Sequence, residues 1–301
     1  MLRRAATEAA GGQQYPAATL YVVATPIGNL ADLSLRAIQV LMLVDAVACE
    51  DTRVTGGLLR HLGLDKPLLA LHQHNEHAAS AQVLERLQQG QRVAYVSDAG
   101  TPAISDPGAV LVAMAAECGH RVFPVPGASS AVTALSVAGD VLANGFVFVG
   151  FLPTKTGERR EALLALGSSA RAHVLFEAPH RIKALTDLLA ELLPQRRVTV
   201  CRELTKQFEA VNTMTAADLP AWMQLDAMRT RGEFVLVLHA SPPSAVVEEA
   251  ALPEAAIRML SVLMRELPLK QAVSLASDLS GAPRNALYEH ALALKKNADQ
   301  V

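Results

Sequence analysis

Short runs of apolar and β-branched residues alternate with segments of helical periodicity from residue 19 onward. The runs have the length of buried strands, and the segments between them repeat apolar residues every three to four positions. In the first half, the predicted strands cover residues 20–25, 44–49, 92–97 and 122–125, and the predicted helices cover 30–43, 82–89, 109–118 and 128–137. This alternation is typical of an open, mainly parallel α/β sheet.

The same pattern restarts after a break and ends in a helical tail. Strands are predicted at 146–151, 173–177, 197–202 and 234–239, and helices at 182–193, 254–265, 269–277 and 284–295. We therefore predict an α/β domain at 19–150, a second α/β domain at 151–240 and a small helical domain at 253–296, after a linker at Ser241 to Ser244. The tail is either helix-turn-helix-like or a plain three-helix appendage. Residues 1–18 are predicted to be a flexible extension.

Composition narrows the class of protein. Hydrophobic residues make up 51% of the chain and aromatic residues only 4%, which argues against a surface that binds nucleic acid by stacking bases. The net charge is -2, so an anionic polymer would have to be held by a local basic patch. Such a patch is predicted in the second half, since residues 153–206 contain ten Lys or Arg against six Asp or Glu, whereas residues 19–150 contain seven against eleven.

Cysteine and histidine positions give no sign of a metal site. The three cysteines are far apart, and His72, His74 and His77 fit a polar loop or the start of a helix better than a ligand set. No apolar run reaches the ~18 residues that span a bilayer. The sequence therefore predicts a cytoplasmic protein with no metal and no membrane partner.

Three loops that follow predicted strands carry the candidate chemistry. They are Thr25 to Asn29, Ser97 to Gly108, and Pro126 to Ser130. Glycine allows a backbone to approach a ligand closely, proline fixes the turns, and Asp98 and Asp106 can accept hydrogen bonds from amines or hydroxyls. The loops are thus expected to wall a pocket for a nucleoside-like ligand, or else to be simple turns. The motifs GxGxxG, GxxxxGK[ST] and GxSxG are missing from the sequence.

Eight motifs occur in a fixed order: YVVATPIGNLADLSLRA, CEDTR, SDAGTPAISDPG, PVPGASS, FVGFLP, FEAPHR, RELTKQFE and GEFVLVL. Together they resemble the tetrapyrrole-methylase superfamily, and more closely its ribosomal RNA small-subunit methyltransferase I branch. The resemblance covers about residues 19 to 240, and residues 253–296 resemble the small C-terminal domain of that branch. CEDTR and EAPHR separate this branch from enzymes that methylate precorrins and uroporphyrinogen.

The resemblance implies a cleft for S-adenosylmethionine between two α/β domains, a homodimer, and 2′-O-methylation of a cytidine in bacterial 16S ribosomal RNA, free or in the small subunit, with no role for DNA. It also implies which residues bind the cofactor: Pro26, Ser97, Asp98, Ala99, Gly100, Thr101, Pro102, Ile104, Ser129 and Ser130 from the first domain, and Phe176, Glu177, Leu204, Gly232 and Glu233 from the second.

Methyl transfer to a ribose hydroxyl calls for a general base, because that hydroxyl is a weak nucleophile. The candidate bases are Glu50, Asp51, His180 and Glu203, and the candidate active-site set is Glu50, Asp51, Arg53, His180 and Arg181. Arg53, Arg181, Arg202 and Lys206 are candidate contacts to RNA phosphate. Each residue also has a structural alternative: Glu50 could pair with Arg53, His180 could cap a helix, and Glu203 could pair with Arg202 or Lys206.

Other classes of protein stay open on the sequence alone. One is an enzyme that methylates a tetrapyrrole, which the CEDTR and EAPHR motifs argue against. A second is a noncatalytic RNA-binding protein that kept the cofactor fold, and such a protein would bind S-adenosylmethionine weakly or not at all. A third is a metabolic enzyme that binds nucleotides and acts without RNA.

Overall fold

The computed structural model describes residues 1–242 and 252–298. The chain divides into two compact units, Met1–Ser241 and Pro242–Val301. The first unit contains two five-stranded sheets, and the described part of the second unit is helical. The predicted fold class, two α/β sheets followed by a helical domain, is confirmed.

The first sheet is entirely parallel. Its strands are β1 (Thr19–Val23), β2 (Ala46–Cys49), β3 (Leu68–Ala70), β4 (Val93–Val96) and β5 (Arg121–Val125), in the order β3-β2-β4-β1-β5. All five strands are therefore followed by loops at the same edge of the sheet. Ligands of such sheets bind outside this edge.

Helices cover both faces of this sheet. They are α1 (Leu2–Ala10), α2 (Leu35–Leu43), α3 (Thr52–His61), α4 (Glu76–Gln88) and α5 (Ala109–Glu117). Successive strand residues point to opposite faces, so Leu20 packs in the core with α4 and α5 while Tyr21 packs in the core with α1, α2 and α3. Burial on both faces explains why the strands are continuous apolar runs in the sequence.

The second sheet is mixed. Its strands are β6 (Phe146–Phe151), β7 (Ala172–Glu177), β8 (Arg197–Arg202), β9 (Ala210–Thr215) and β10 (Phe234–Leu238), in the order β6-β7-β10-β8-β9. β6 and β7 are parallel, and the other pairs are antiparallel. Helices α7 (Thr156–Ala165), α8 (Ile182–Leu192) and α9 (Leu219–Gln224) pack on one face.

Helix α6 (Ser130–Ala138) joins the two sheets. It follows β5 of the first sheet, yet Ala131, Ala134 and Ala138 pack in one core with Val174 and Val235 of the second sheet. The second sheet already starts at β6, so the boundary predicted at residues 150 and 151 falls inside a strand. The chain begins to pack against the second sheet before Phe146, because the small side chains of α6 let this helix lie close to that sheet.

The first 18 residues are not the predicted flexible extension. Helix α1 packs against α2 with Ala6 fully buried and Ala10 3% exposed. Thr7 hydrogen-bonds to Gln39, Arg3 donates to the carbonyl of Gly63, and the remainder of the segment leads directly into β1. The prediction is wrong because the alanines make this segment only weakly hydrophobic, although small residues suit close helix packing.

The three described helices of the second unit enclose a hydrophobic core of their own. Helices α10 (Glu254–Glu266), α11 (Leu269–Ser280) and α12 (Arg284–Ala298) bury Leu260, Val273 and Leu287 between them. Gly281 ends α11 in the left-handed conformation, which makes the short turn before α12. Of the predicted linker, Pro243 and Ser244 lie outside the described residues.

Candidate active site

The loops at the carboxyl edge of the first sheet are tied to one another. Thr25 and Gly100 exchange two backbone hydrogen bonds, at 2.9 and 3.1 Å, which join the loop after β1 to the loop after β4. The Thr101 hydroxyl donates to the carbonyl of Ala128 at 3.0 Å and joins the loop after β5. Because β4 and β5 flank β1 in the sheet, the three loops form one continuous wall.

The far end of the long loop is also fixed. Glu76 accepts a hydrogen bond from the Gly108 N–H at 2.7 Å, and the Tyr95 hydroxyl donates to the carbonyl of Pro107. Gly108 has a φ of +118°, and a Cβ there would lie 2.1 Å from a ring carbon of Tyr95. Only glycine fits this position. The loop is thus a built wall rather than a free connection.

A turn from the second sheet packs against the loop after β1. A Cβ on Gly28 would lie 2.5 Å from Cγ of Lys206, so the lysine stem covers this glycine. The Lys206 ammonium lies 3.0 Å from carboxylate oxygens of both Glu203 and Glu233. Although burial opposes its ionisation, a hydrogen bond from the Glu233 N–H at 2.9 Å, together with the Lys206 ammonium, holds the pKa of Glu203 below its usual value. Glu203 is therefore a structural partner of Lys206, and a carboxyl with a lowered pKa is a weak base.

A cleft of about 380 Å³ lies between the two sheets, and we call it the main cleft. Its size is that of a small-molecule site. Ten of the predicted cofactor residues line it: Ala99, Gly100, Thr101, Ile104, Ser129, Ser130, Phe176, Glu177, Leu204 and Glu233. The structure thus brings together motifs that are more than a hundred residues apart in sequence.

Five predicted cofactor residues do not line the main cleft. Pro26, Ser97 and Asp98 face a neighbouring cavity of about 250 Å³ that is bordered by α3, and we call it the α3 cavity. Pro102 and Gly232 line neither cavity. Some residues of the loops after β1 and β4 thus face the main cleft and others face the α3 cavity. A sequence motif cannot show which residue faces which side.

Asp106, which the sequence offers as a hydrogen-bond acceptor of the long loop, also lines the main cleft. The cleft further contains residues that the sequence did not single out for it: Ile27, Ser105, Ala131, Phe151, Ala178, Pro179, Cys201, Phe234 and Val235. Most of them are next to predicted cofactor residues in the same motifs, and this proximity in sequence could have indicated that they line the cleft. Cys201 lacked such a signal, since it lies on β8 and reaches the cleft only through the order of the second sheet. Burial raises the pKa of its thiol to about 12, so it lines the cleft as an apolar group.

Glu177 presents a buried acceptor to the main cleft. Its side chain is fully buried, and Oε1 lies 3.0 Å from Nε of Arg181 and accepts a hydrogen bond from the Ala178 N–H at 2.8 Å. Oε2 has no hydrogen-bond partner in the described structure. A buried carboxylate oxygen without a partner is costly, so this atom suits a ligand that donates an N–H or O–H group.

Arg181 is held inside the protein. Its side chain is 16% exposed, it pairs with Glu177, and Nη2 donates to the carbonyl of Leu152 at 2.7 Å. Arg202 donates to the carbonyls of Phe208 and Met228 in a similar way. Of the four candidate contacts to RNA phosphate, Arg53 is the exposed one, with 89% of its side chain accessible.

The carboxylates of Glu50, Asp98 and Asp106 lie close enough to influence one another, although Asp106 lines the main cleft and Asp98 lines the α3 cavity. Burial, together with the charges of Asp98 and Asp106, raises the pKa of Glu50. Burial and the charge of Asp98 likewise raise the pKa of Asp106, although a hydrogen bond from Ser97 opposes this. Asp98 accepts a hydrogen bond from the Asp51 N–H at 3.0 Å and so connects the turn after β2 to the loop after β4.

The structure separates the candidate bases. Asp51 caps α3 and binds Arg53 at 2.6 Å, and its hydrogen bonds with Arg53 lower its pKa to about 2. The ion pair in this turn is thus Asp51 with Arg53, not Glu50 with Arg53. His180 is exposed and follows Pro179 at the rim of the main cleft. Asp106 lines the main cleft and has a raised pKa, which is the direction that favours a carboxylate as a general base.

Neither a membrane span nor a metal cluster occurs in the part of the chain that the structure describes. Within residues 1–242 and 252–298, no helix is both long and apolar enough to cross a membrane. The same ranges contain no group of three or more His, Cys, Asp or Glu side chains arranged to hold a metal ion.

Comparison with solved structures shows the fold, and a family model defines the class of protein. Uroporphyrin-III-C-methyltransferase from Thermus thermophilus has a TM-score of 0.53 at 23% identity and covers 74% of this chain and 94% of that one. Diphthine synthase has a TM-score of 0.55 at 16% identity and covers 74% and 90%. Residues 19–220 match the model of the tetrapyrrole (corrin/porphyrin) methylases. Residues 250–295 match a model described as the RsmI C-terminal HTH domain.

Curated relatives define the family more narrowly. A protein from Escherichia coli O157:H7 is 46% identical and covers 91% of this chain and 94% of its own length. One from Neisseria meningitidis serogroup B is 44% identical and covers 98% of both. Both are named ribosomal RNA small subunit methyltransferase I. The chain belongs to this family of the tetrapyrrole methylases.

Proposed function

We propose that this protein transfers a methyl group from S-adenosylmethionine to the ribose 2′-oxygen of a cytidine in bacterial 16S ribosomal RNA. The observation that carries the proposal is the main cleft. Its walls consist of the motifs that resemble those of ribosomal RNA small-subunit methyltransferases, and the buried Oε2 of Glu177 has no hydrogen-bond partner within the described residues. Relatives named as ribosomal RNA methyltransferases across nearly the whole chain support the RNA substrate.

The lining of the main cleft fits S-adenosylmethionine. Thr101, Ser129 and Ser130 carry hydroxyl groups for polar parts of the ligand, Glu177 accepts from a hydroxyl or amine, and Ile104, Phe176 and Leu204 supply apolar surface. One fold neighbour, a uroporphyrin-III C-methyl transferase from Thermus thermophilus, is described as complexed with S-adenyl homocysteine. When bound, S-adenosylmethionine supplies an electrophilic methyl group on a positively charged sulfur.

The chain's own residues then position the nucleophile and take up its proton. We assign proton removal from the 2′-hydroxyl to the carboxylate of Asp106, because it lines the main cleft and its pKa is raised. Glu50 lies near the same carboxylates and also has a raised pKa, but it does not line the cleft. The apolar part of the lining, with Ile104, Phe176 and Leu204, helps to keep water from the reacting atoms.

The proposed partners are 16S ribosomal RNA or the small subunit, and a second copy of this chain, in the cytoplasm, where ribosomal subunits are found. Exposed apolar side chains in one stretch of sequence support the homodimer: Val132, Val137, Val141, Leu142 and Phe146. Exposed apolar surface of this kind marks interaction sites. Analytical ultracentrifugation measures this directly, and a mass of one chain at micromolar concentration contradicts the dimer.

We propose that the helical unit docks the ribosomal substrate, and a truncation tests this. The chain should end after Pro242 and not earlier, because Ala240 donates to Asp140 at 2.6 Å and Ser241 donates to the carbonyl of Ser169 at 2.8 Å. The truncated protein is expected to bind S-adenosylmethionine with the affinity of the full chain in calorimetry, but to methylate small subunits at least tenfold more slowly at low substrate concentration. Full activity of the truncated protein contradicts the docking role.

Methyl transfer with purified components tests the proposed function. The full chain receives S-adenosylmethionine with a labelled methyl group and small subunits from a strain that lacks the gene. Label is expected in the RNA. Label that stays out of RNA, or that enters uroporphyrinogen instead, contradicts the proposal.

A further inference from the structure

The α3 cavity lies behind the same wall as the main cleft. Pro26 and Gly28 face the α3 cavity while Ile27 faces the main cleft, and the loop after β4 divides in the same way. The remaining lining residues of the α3 cavity are Thr25, Leu30, Val54, Thr55, Gly57, Leu58 and His61. The two cavities therefore lie side by side, with the loops after β1 and β4 between them.

Helix α3 keeps space open toward this cavity. Gly57 lies in the middle of the helix, where glycine costs about 1 kcal/mol relative to alanine. A Cβ at Gly57 would meet only a guanidinium nitrogen of Arg60, at 3.9 Å, so no close packing requires a glycine here. The missing side chain instead enlarges the α3 cavity. Gly57 thus makes the helix less stable than alanine would, at a position where a larger side chain would fill the α3 cavity.

Polar groups at the cavity lack full partners within the described residues. Thr55 is only 3% exposed, and its hydroxyl oxygen has no hydrogen-bond partner with good geometry within the described residues. The Cys49 thiol beside it is a weak hydrogen-bonding group. Asp98 presents a carboxylate at the same cavity. A ligand that fills this space can therefore gain hydrogen bonds at one edge while its faces contact Pro26, Val54 and Leu58.

These features suit a small heterocycle with polar groups at its edge. The volume of about 250 Å³ suits one ring and its sugar better than a larger ligand. A carboxylate accepts a hydrogen bond from the exocyclic amine of cytosine. The exposed side chains of Arg53 and Arg60 lie on the same helix, where their positive charges can contact RNA phosphates.

We propose that the α3 cavity receives the cytosine base of the acceptor nucleotide, with its amine toward Asp98, and that its ribose passes the rim of the shared wall so that the 2′-oxygen enters the main cleft. The base enters this cavity and S-adenosylmethionine enters the main cleft. This assignment rests on the proposed function, since it names the part of the RNA that this site takes. It gives Asp98 a role in recognising the acceptor, in place of the cofactor role that the motif implied.

Filling the cavity tests the assignment. Gly57→Ala and Gly57→Leu improve helix propensity while occupying increasing volume. We expect Gly57→Leu to raise KM for small subunits at least tenfold, with a smaller effect for Gly57→Ala and unchanged affinity for S-adenosylmethionine in calorimetry. Gly157→Leu is the matched control, because Gly157 lies in α7 and a Cβ there would meet no atom within 4 Å.

A second readout is independent of methyl transfer. Cytidine 5′-monophosphate is added to protein saturated with S-adenosylhomocysteine, and saturation-transfer NMR detects its binding. Binding to wild type that Gly57→Leu and Thr55→Val both weaken supports the assignment, even if wild type transfers no methyl group to RNA and the proposed function fails. Active wild type with an unchanged KM in Gly57→Leu overturns the assignment, and so does a loss of S-adenosylmethionine affinity in that variant.

Discussion

Replacing Asp106 with asparagine is expected to lower kcat for RNA methylation by about a hundredfold or more, the usual contribution of a general base. The substitution keeps the shape of the side chain, so the lining of the main cleft should stay intact. Affinity for S-adenosylmethionine, measured by calorimetry, should change by less than about threefold, since no hydrogen bond to the cofactor is assigned to this carboxylate. A variant with wild-type kcat contradicts the assignment of Asp106.

The pH dependence of kcat gives a second test of Asp106. Burial and Asp98 raise its pKa, so the carboxyl is protonated over a wider range of low pH than an ordinary aspartate. A base must be ionised, and wild-type kcat is therefore expected to fall as the pH drops through this raised pKa. The residual activity of Asp106→Asn should lack that decline. Glu50→Gln is the matched control: its pKa is also raised, but it does not line the main cleft. If Glu50→Gln has the larger effect on kcat, Glu50 is the base.

Replacing Arg181 with alanine is expected to lower the free energy of unfolding by about 3–5 kcal/mol, as when one partner of a buried ion pair is removed. The variant leaves the fully buried Glu177 carboxylate without its cation and the carbonyl of Leu152 without its donor. Urea denaturation measures the difference. The sequence suggests a contact to RNA phosphate for this arginine, but its burial makes loss of stability the main consequence.

Arg53→Ala is the matched control for Arg181→Ala. Arg53 also pairs with an acidic residue, at 2.6 Å from Asp51, but 89% of its side chain is exposed. Exposed pairs contribute little, so we expect the free energy of unfolding of Arg53→Ala to stay within about 1 kcal/mol of wild type. Its effect should instead appear as weaker, less salt-dependent binding of RNA. Equal losses of stability in the two variants contradict the distinction between them.

Much of the fold could be predicted from the sequence because the central strands of both sheets are buried on both faces. Such strands are continuous apolar runs, and these runs predict β4 and β10 within a residue or two of their ends. Helix α1 and strand β9 escape the pattern. The first is rich in small residues, and the second alternates exposed and half-buried positions at the edge of its sheet. Neither has the local hydrophobicity that marks an element.

The motifs locate the wall of the main cleft but not the direction of its side chains. Thr101, Ser129 and Glu177 line the cleft to which their motifs point. The motifs could not show that Asp98 faces the α3 cavity, because neighbouring loop residues face opposite sides of a thin wall. Nor could they show that Arg181 is buried, since its partners Glu177 and Leu152 come together only through the pairing of β6 with β7.

The most direct test of the central claim maps ribose methylation along 16S ribosomal RNA at single-nucleotide resolution. The RNA comes from cells with the gene, without it, and without it but supplied with either the wild-type gene or Asp106→Asn. We predict that one cytidine loses its 2′-O-methyl group when the gene is absent, regains it with the wild-type gene and does not regain it with Asp106→Asn. Identical methylation maps with and without the gene, or a lost methyl group that proves to have been on a base, would contradict the account.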